Sequence, residues 1–139
     1  MQLKTTFAFT ITELLVVAIL LALMIGFAVP NFTKTKVKAF ERDARAQLQI
    51  LHEANQLYYS KEGAFLATNT DIDVDTWSYL NTNLNISLAA NDSSITYQRP
   101  GADQYTAVIT FQDIALQVTQ DEDSVCCSTG ACTLTPQCH

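Results

Sequence analysis

The sequence has few residues that break regular structure, and few basic residues in its C-terminal half. Its 139 residues include four glycines and three prolines. None of these lies between Asn31 and Glu62, so this segment can form one continuous helix. Residues 64–139 contain a single basic residue, Arg99, and nine acidic residues. A surface of this sign argues against nonspecific binding of nucleic acid by that part of the chain.

Motifs for catalysis and for cofactor binding are also missing. The sequence has no nucleophile elbow, no phosphate-binding loop and no histidine pair at metal-ligand spacing. We therefore expect a protein that is not an enzyme and needs no cofactor. Asp71, Asp73 and Asp75 resemble the start of a calcium loop, but Thr76 stands where such a loop requires glycine and Thr82 where it requires glutamate. We expect no metal site there.

Cysteine is absent from the first 125 residues and then occurs four times in the last fourteen. An even number of cysteines in such a short segment predicts two disulfides formed in an oxidising compartment. Three pairings are possible, and the one that joins the adjacent Cys126 and Cys127 is the least favourable geometrically. A zinc site is the alternative, although the paired C-x2-C spacing of structural zinc sites is missing. The four residues are Cys126, Cys127, Cys132 and Cys138.

A run of sixteen residues without a polar side chain, Leu14–Val29, follows directly after Glu13. A carboxylate beside such a run is energetically costly and normally has a function. One interpretation is a secretory signal cleaved after Ala28, and another is a simple transmembrane anchor, although the run is somewhat shorter than the ~20 residues needed to span a bilayer. Neither interpretation explains Glu13, because the region before a signal-peptide core should be basic.

Apolar residues after Pro30 recur at steps of three and four residues, which predicts an amphipathic helix with one buried face. The positions between them are polar, and we expect side chains such as Glu41, His52 and Glu53 to face solvent. Gly63 is a plausible C-terminal stop for this helix. The apolar positions are Val37, Phe40, Ala44, Leu48, Leu51, Ala54 and Tyr58.

The apolar run and the amphipathic segment together predict one helix from Phe9 to Glu62. Pro30 has no amide hydrogen to donate, so we expect a kink or a local opening at this residue. Gly26, four residues earlier, adds a second weak point.

The remaining residues show the signals of a small antiparallel sheet. Ile95–Arg99 and Tyr105–Phe111 are predicted strands, and residues 100–103 (PGAD) are a turn between them. Ile114–Thr119 alternates apolar and polar residues and predicts a third strand. A short helix is expected near Thr76–Leu80. The predicted fold class is α+β, with a long N-terminal helix packed on a three- or four-stranded antiparallel sheet and a disulfide-linked C-terminal region.

The N-terminal segment resembles that of type IV pilins and of the related pseudopilins. The resemblance rests on the pair Phe9-Thr10, on Glu13 four residues after Phe9, on the apolar run that follows, and on Pro30. It covers about a quarter of the chain, while the rest matches the family only in general layout. The family usually has glycine at the position of Ala8.

The resemblance implies specific roles for residues at this end of the chain. A prepilin peptidase would cleave between Ala8 and Phe9, and Phe9 would become the N-methylated terminus. Its ammonium group would pair with the Glu13 carboxylate of a neighbouring subunit and fix the axial register of a filament. Opposite charges attract strongly in such a low-dielectric bundle. A large aliphatic residue is usual at the position of Thr12.

The resemblance also implies a type IV pilin-like fold and a life cycle. The precursor would sit in the bacterial inner membrane with its N-terminus in the cytoplasm. An assembly platform would then polymerise it into a homo-oligomeric helical filament at the cell surface or across the periplasm. We therefore expect a leader at residues 1–8, a hydrophobic transmembrane and assembly helix at 9–30, an amphipathic helix at 31–63 and a globular headgroup at 64–139.

Three other functions remain open from the residues. The first is a pseudopilin of a type II secretion system. The second is a monomeric, membrane-anchored extracytoplasmic binding domain. The third is a secreted soluble domain released by signal peptidase.

The N-terminus of the mature protein distinguishes these possibilities. We expect intact-mass measurement of native material to give a chain that starts at a methylated Phe9. A simple membrane anchor would start at Met1, and a secreted domain would start at Val29. Either of these masses would contradict the pilin interpretation.

Overall fold

The computed structural model describes residues 10–69, 75–121 and 124–139, with the side chains of residues 27–31 outside the description. This part of the chain contains two helices and one four-stranded antiparallel sheet, so the predicted α+β class is confirmed. The elements are α1 (Ile11–Glu62), α2 (Thr76–Leu84), β1 (Ser94–Gly101), β2 (Gln104–Phe111), β3 (Ile114–Thr119) and β4 (Cys126–Thr129).

Helix α1 spans 52 residues and ends at the predicted residue, Glu62, while the predicted first residue, Phe9, lies outside the described residues. It ends where Gly63 adopts a left-handed conformation, with φ of 74°, and donates its amide hydrogen to the carbonyl of Tyr59 at 2.8 Å. Glycine is favoured there because it has no Cβ to clash. The helix continues through Pro30. The kink predicted at Pro30 and Gly26 stays a prediction, because the side chain of Pro30 lies outside the described residues.

The chain divides into two compact units, of which the first ends at Val37 and the second comprises Lys38–His139. The second unit contains the C-terminal part of α1 together with α2 and the whole sheet. The amphipathic part of the helix and the β headgroup therefore belong largely to the same folded unit.

The sheet is a simple meander in the order β1-β2-β3-β4. The predicted third strand, Ile114–Thr119, has the predicted bounds. Strand β1 continues past Pro100 to Gly101, so the turn before β2 is shorter than predicted. Pairing with β2 is irregular between Gln98 and Gly101. This irregularity accommodates Pro100, which has no amide hydrogen to donate to a neighbouring strand.

The core of the second unit lies between the sheet and one face of α1. Leu48 and Leu51 are fully buried, and Ala44 is nearly so. The ring of Phe40 stacks on that of Phe111 in β2, with centroids 4.6 Å apart. Tyr105, Ile109, Leu116 and Val118 form the sheet side of the core.

The predicted buried face is correct at its centre and wrong at one polar position. Glu41, which we expected to face solvent, is fully buried. Val37, Ala54 and Tyr58, which we expected to be buried, are only half-buried. The buried face of α1 is therefore rotated slightly toward Glu41, and it ends in a buried amide, Asn55.

A matched pair of leucines on α1 tests this assignment. We expect Leu48→Ala to lower the free energy of unfolding of the second unit by about 2–5 kcal/mol, because it leaves a cavity in a closed core. Leu57→Ala should lower it by less than about 1 kcal/mol, because Leu57 is 58% exposed. Urea unfolding in detergent, followed by the fluorescence of Trp77, measures both values. Equal losses would contradict the assignment.

Candidate functional site

The N-terminal part of α1 exposes a continuous apolar surface. Its large apolar side chains from Ile11 to Ile25 are between 44% and 85% exposed. Successive residues point about 100° apart around a helix, so these side chains cover every face of α1 between Ile11 and Ile25. Among the described residues, no helix is both long enough and apolar enough to cross a membrane.

Glu13 lies in the first turn of α1, where Thr10 caps the helix. The Thr10 hydroxyl accepts a hydrogen bond from the Glu13 amide at 3.2 Å and lies 3.0 Å from the hydroxyl of Thr12. The sequence Thr-x-x-Glu is the pattern of a capping box, and a carboxylate at this position is favoured by the helix dipole. The backbone amide of Glu13 is thus part of the N-terminal cap, and its carboxylate lies in the first turn, where the helix dipole favours it. We missed the role of Thr10, although the pattern was visible in the sequence.

The two proposed processing residues, Ala8 and Phe9, lie outside the described residues. Cleavage between them, methylation of Phe9 and pairing of Phe9 with Glu13 therefore stay predictions. The exposed position of Glu13 in a single chain is compatible with a partner from another molecule.

The C-terminal tail is held by two disulfides. Cys126 pairs with Cys138, and Cys127 pairs with Cys132, with Cα–Cα distances of 4.9 and 6.3 Å. Both bridges connect β4 to the residues that follow it. The tail also returns along β4, where the Cys127 amide donates to the Pro136 carbonyl at 2.7 Å and the Cys138 amide donates to the Cys127 carbonyl at 3.0 Å.

Glu41 connects this tail to helix α1. Its carboxylate accepts hydrogen bonds from the Thr133 amide at 2.6 Å, the Thr133 hydroxyl at 2.9 Å and the Leu134 amide at 3.0 Å. All three donors are uncharged, and the carboxylate is fully buried. The sequence does contain a signal for this burial, because Glu41 precedes Ala44 by three residues and Leu48 by seven, on the same helix face. Its donors lie about 92 residues away and give no local signal.

A polar network crosses the core near the other end of the buried face. The Tyr97 hydroxyl donates to the Leu66 carbonyl and accepts from the Asn55 side chain, both at 2.9 Å. The Tyr105 hydroxyl forms a hydrogen bond with Nδ1 of His52. Burial raises the pKa of Tyr97 to about 12, although the hydrogen bond from Asn55 opposes this shift. Burial raises the pKa of Tyr105 as well. Both phenols are therefore neutral at physiological pH and serve as structural hydrogen-bonding groups.

A second exposed apolar surface lies on α1 within the second unit. Ala46, Ile50, Ala54 and Leu57 line a shallow depression together with Gln49 and Glu53. Ile50 is 48% exposed and Leu57 is 58% exposed. These residues follow one another at steps of three and four, so they form one stripe along the helix. We call it the α1 stripe.

Comparison with protein-family models, curated proteins and solved structures finds no match for this chain. Within the described ranges, no group of three or more His, Cys, Asp or Glu side chains is placed to hold a metal ion. Asp71 and Asp73 of the calcium-like pattern lie outside these ranges. The most distinctive features of the described residues are the exposed apolar part of α1, Glu13, the α1 stripe and the anchored tail.

The buried phenol of Tyr97 predicts how stability depends on pH. Its pKa is raised from 10.0 to about 12 in the folded protein, so the unfolded chain loses its phenolic proton first as the pH rises. The contribution of this group is fully present below about pH 10 and is lost as the pH approaches 12. We expect the free energy of unfolding to fall over this interval, and to fall less steeply in Tyr97→Phe. Urea unfolding at a series of pH values gives the slopes, and identical slopes would contradict the assignment.

Proposed function

We propose that this protein is a structural subunit of a type IV pilus-like filament that assembles through its N-terminal helix. The observation that carries the proposal is the N-terminal part of α1, where large apolar side chains from Ile11 to Ile25 are exposed on every face of the helix. A helix that is apolar all round is normally buried in lipid or among other protein segments. Single soluble molecules rarely expose apolar patches larger than a few hundred Å².

The shape of this apolar surface favours many neighbours over one. Burying a Leu-sized side chain yields about 1.5–3 kcal/mol, so the segment as a whole offers on the order of 20 kcal/mol. One neighbouring helix can cover only a part of the circumference, and association itself costs about 4–15 kcal/mol. A dimer would therefore leave most of the surface in water. Repeated contacts that do not close into a ring cover all faces and generate a helical filament.

The segregation of charge supports the same arrangement. Residues 31–63 carry six basic and four acidic groups, whereas residues 64–139 carry one basic and nine acidic groups. Exposed Arg42 and Lys61 lie one helical turn before and after the α1 stripe. The stripe thus has a basic group at each end and one acidic side chain, Glu53, beside it. The two basic groups suit packing against an acidic headgroup of a neighbouring subunit. The same acidic surface would keep the outside of the filament soluble.

Glu13 is the proposed register-setting residue. After cleavage before Phe9, the new ammonium group would meet the Glu13 carboxylate of a neighbour inside an apolar bundle. Coulomb attraction there is much stronger than in water. An unpaired carboxylate in the same place would instead be destabilising. Before assembly, the precursor would reside in the inner membrane and be processed by the prepilin peptidase, with an assembly platform as a further partner.

Substitution of Glu13 tests the proposal and separates its two roles. Glutamine at this position still fits a capping box but carries no charge. We expect Glu13→Gln to reduce filament yield by at least tenfold while the protein is still made and inserted, and Glu13→Ala to behave similarly. Glu62→Gln is the matched control, because it removes an exposed carboxylate from the same helix outside both the apolar segment and the α1 stripe. Electron microscopy of sheared surface material provides the measurement.

Two results would count against this function. Wild-type cells that yield no filaments would remove the assembly role. Normal filaments from Glu13→Gln would leave assembly in place and remove only the charge-pairing role of Glu13.

A further inference from the structure

We infer that the C-terminal tail contains a redox-dependent contact with helix α1. The backbone and hydroxyl donors of Thr133 and Leu134, which we call the donor segment, bind Glu41 only when the bridge between Cys127 and Cys132 has formed. This inference does not depend on the proposed filament. It rests on the hydrogen bonds of Glu41, on the burial around it and on the position of the bridge.

Glu41 requires the donor segment because its carboxylate is fully buried. A buried carboxylate without compensation is strongly unfavourable. The compensation here comes from two amides and one hydroxyl, all within 3.0 Å and all from two consecutive residues. If the donor segment moves away, the carboxylate must become accessible to water. The tail therefore closes on α1 at the same time as the Glu41 face of the helix becomes buried.

The bridge fixes the end of the donor segment to the sheet. Cys132 directly precedes Thr133, and its partner Cys127 lies in β4, where it pairs with Leu116 of β3. Without this bond, ordering the two donor amides costs conformational entropy. In the bridged chain the disulfide has already restricted the conformations of this segment, so the cost is smaller.

The loop inside the bridge has a tight conformation of its own. Gly130 has φ of 88°, and a Cβ at this position would lie 2.3 Å from the Asp113 carbonyl oxygen. The loop therefore passes closely over the turn between β2 and β3. This close approach places the donor segment next to Glu41 once the bond between Cys127 and Cys132 has formed.

The redox step is an ordinary thiol–disulfide exchange. The thiols of Cys127 and Cys132 lose two electrons and two protons and form one S–S bond. A disulfide oxidant accepts the electrons and protons and becomes a dithiol. Dithiothreitol reverses the reaction and is itself converted to its cyclic disulfide. A chain in a reducing compartment thus keeps the Glu41 face of α1 open, and the tail closes on it after oxidation.

Amide hydrogen exchange in the full-length protein in detergent tests the coupling. We expect the Thr133 and Leu134 amides of the oxidised protein to exchange slowly, and Glu41→Ala to accelerate them by about tenfold or more, as loss of a bond to a charged acceptor predicts. Glu53→Ala, on the same helix, should have no effect. The bridge-free variant Cys127→Ser/Cys132→Ser should exchange as fast as Glu41→Ala. Adding Glu41→Ala to it should change the rates by less than about twofold.

A second measurement keeps the test independent of the folding of the serine variant. Cys127 is fully buried, so opening of the tail should expose its bridge. We expect dithiothreitol to reduce the bridge between Cys127 and Cys132 about tenfold faster in Glu41→Ala than in Glu53→Ala, as measured by alkylation and mass spectrometry. Equal reduction rates in these two variants would overturn the inference. Slow exchange of both donor amides in the bridge-free variant would also overturn it.

Discussion

One helix must satisfy two different environments, and the rest of the structure follows from this constraint. Beyond Lys38, α1 buries a face of Ala44, Leu48 and Leu51 against a sheet of its own chain. Before that, the first unit exposes its apolar side chains from Ile11 to Ile25. The hydrophobic effect that closes the second unit therefore leaves a large apolar area uncovered in the first. The proposed filament contacts would cover it.

The second unit combines apolar burial with covalent and polar contacts. Here the two disulfides and the three hydrogen bonds to Glu41 act on the same short tail. The bridges limit the freedom of the unfolded tail, while the carboxylate fixes where the tail lies on α1. Covalent and polar contacts thus complete a core that apolar burial begins.

Local patterns predicted the elements well because each element has a period of its own. The steps of three and four residues gave α1 and its end at Gly63, and the alternation in Ile114–Thr119 gave β3 with its observed bounds. We expected Glu41 to face solvent because its side chain is charged. Its spacing from Ala44 and Leu48 nevertheless places it on the buried face of α1. Its donors in the tail could not be predicted, since they come from a distant segment. The disulfide pairing was open for a different reason, because four cysteines within fourteen residues allow three pairings.

Only part of the candidate site could be predicted from the sequence. The apolar run and Glu13 follow directly from the sequence, and the structure shows that the large apolar side chains from Ile11 to Ile25 are exposed. The α1 stripe was not predicted, because Ile50 and Leu57 fall outside the buried face and look like isolated apolar residues in the sequence. That Ile50 and Leu57 share one exposed surface becomes apparent only in the structure, where another face of α1 packs on the sheet.

The return of the tail along β4 has a consequence for how copies of this chain can associate. An open sheet edge is a template on which another strand can add, and this is a common route to aggregation. The tail occupies the outer side of β4 through the hydrogen bonds between Cys127, Pro136 and Cys138. At the opposite edge, Pro100 interrupts the donors of β1. Both borders of the sheet thus discourage strand addition, and amyloid-like growth is disfavoured.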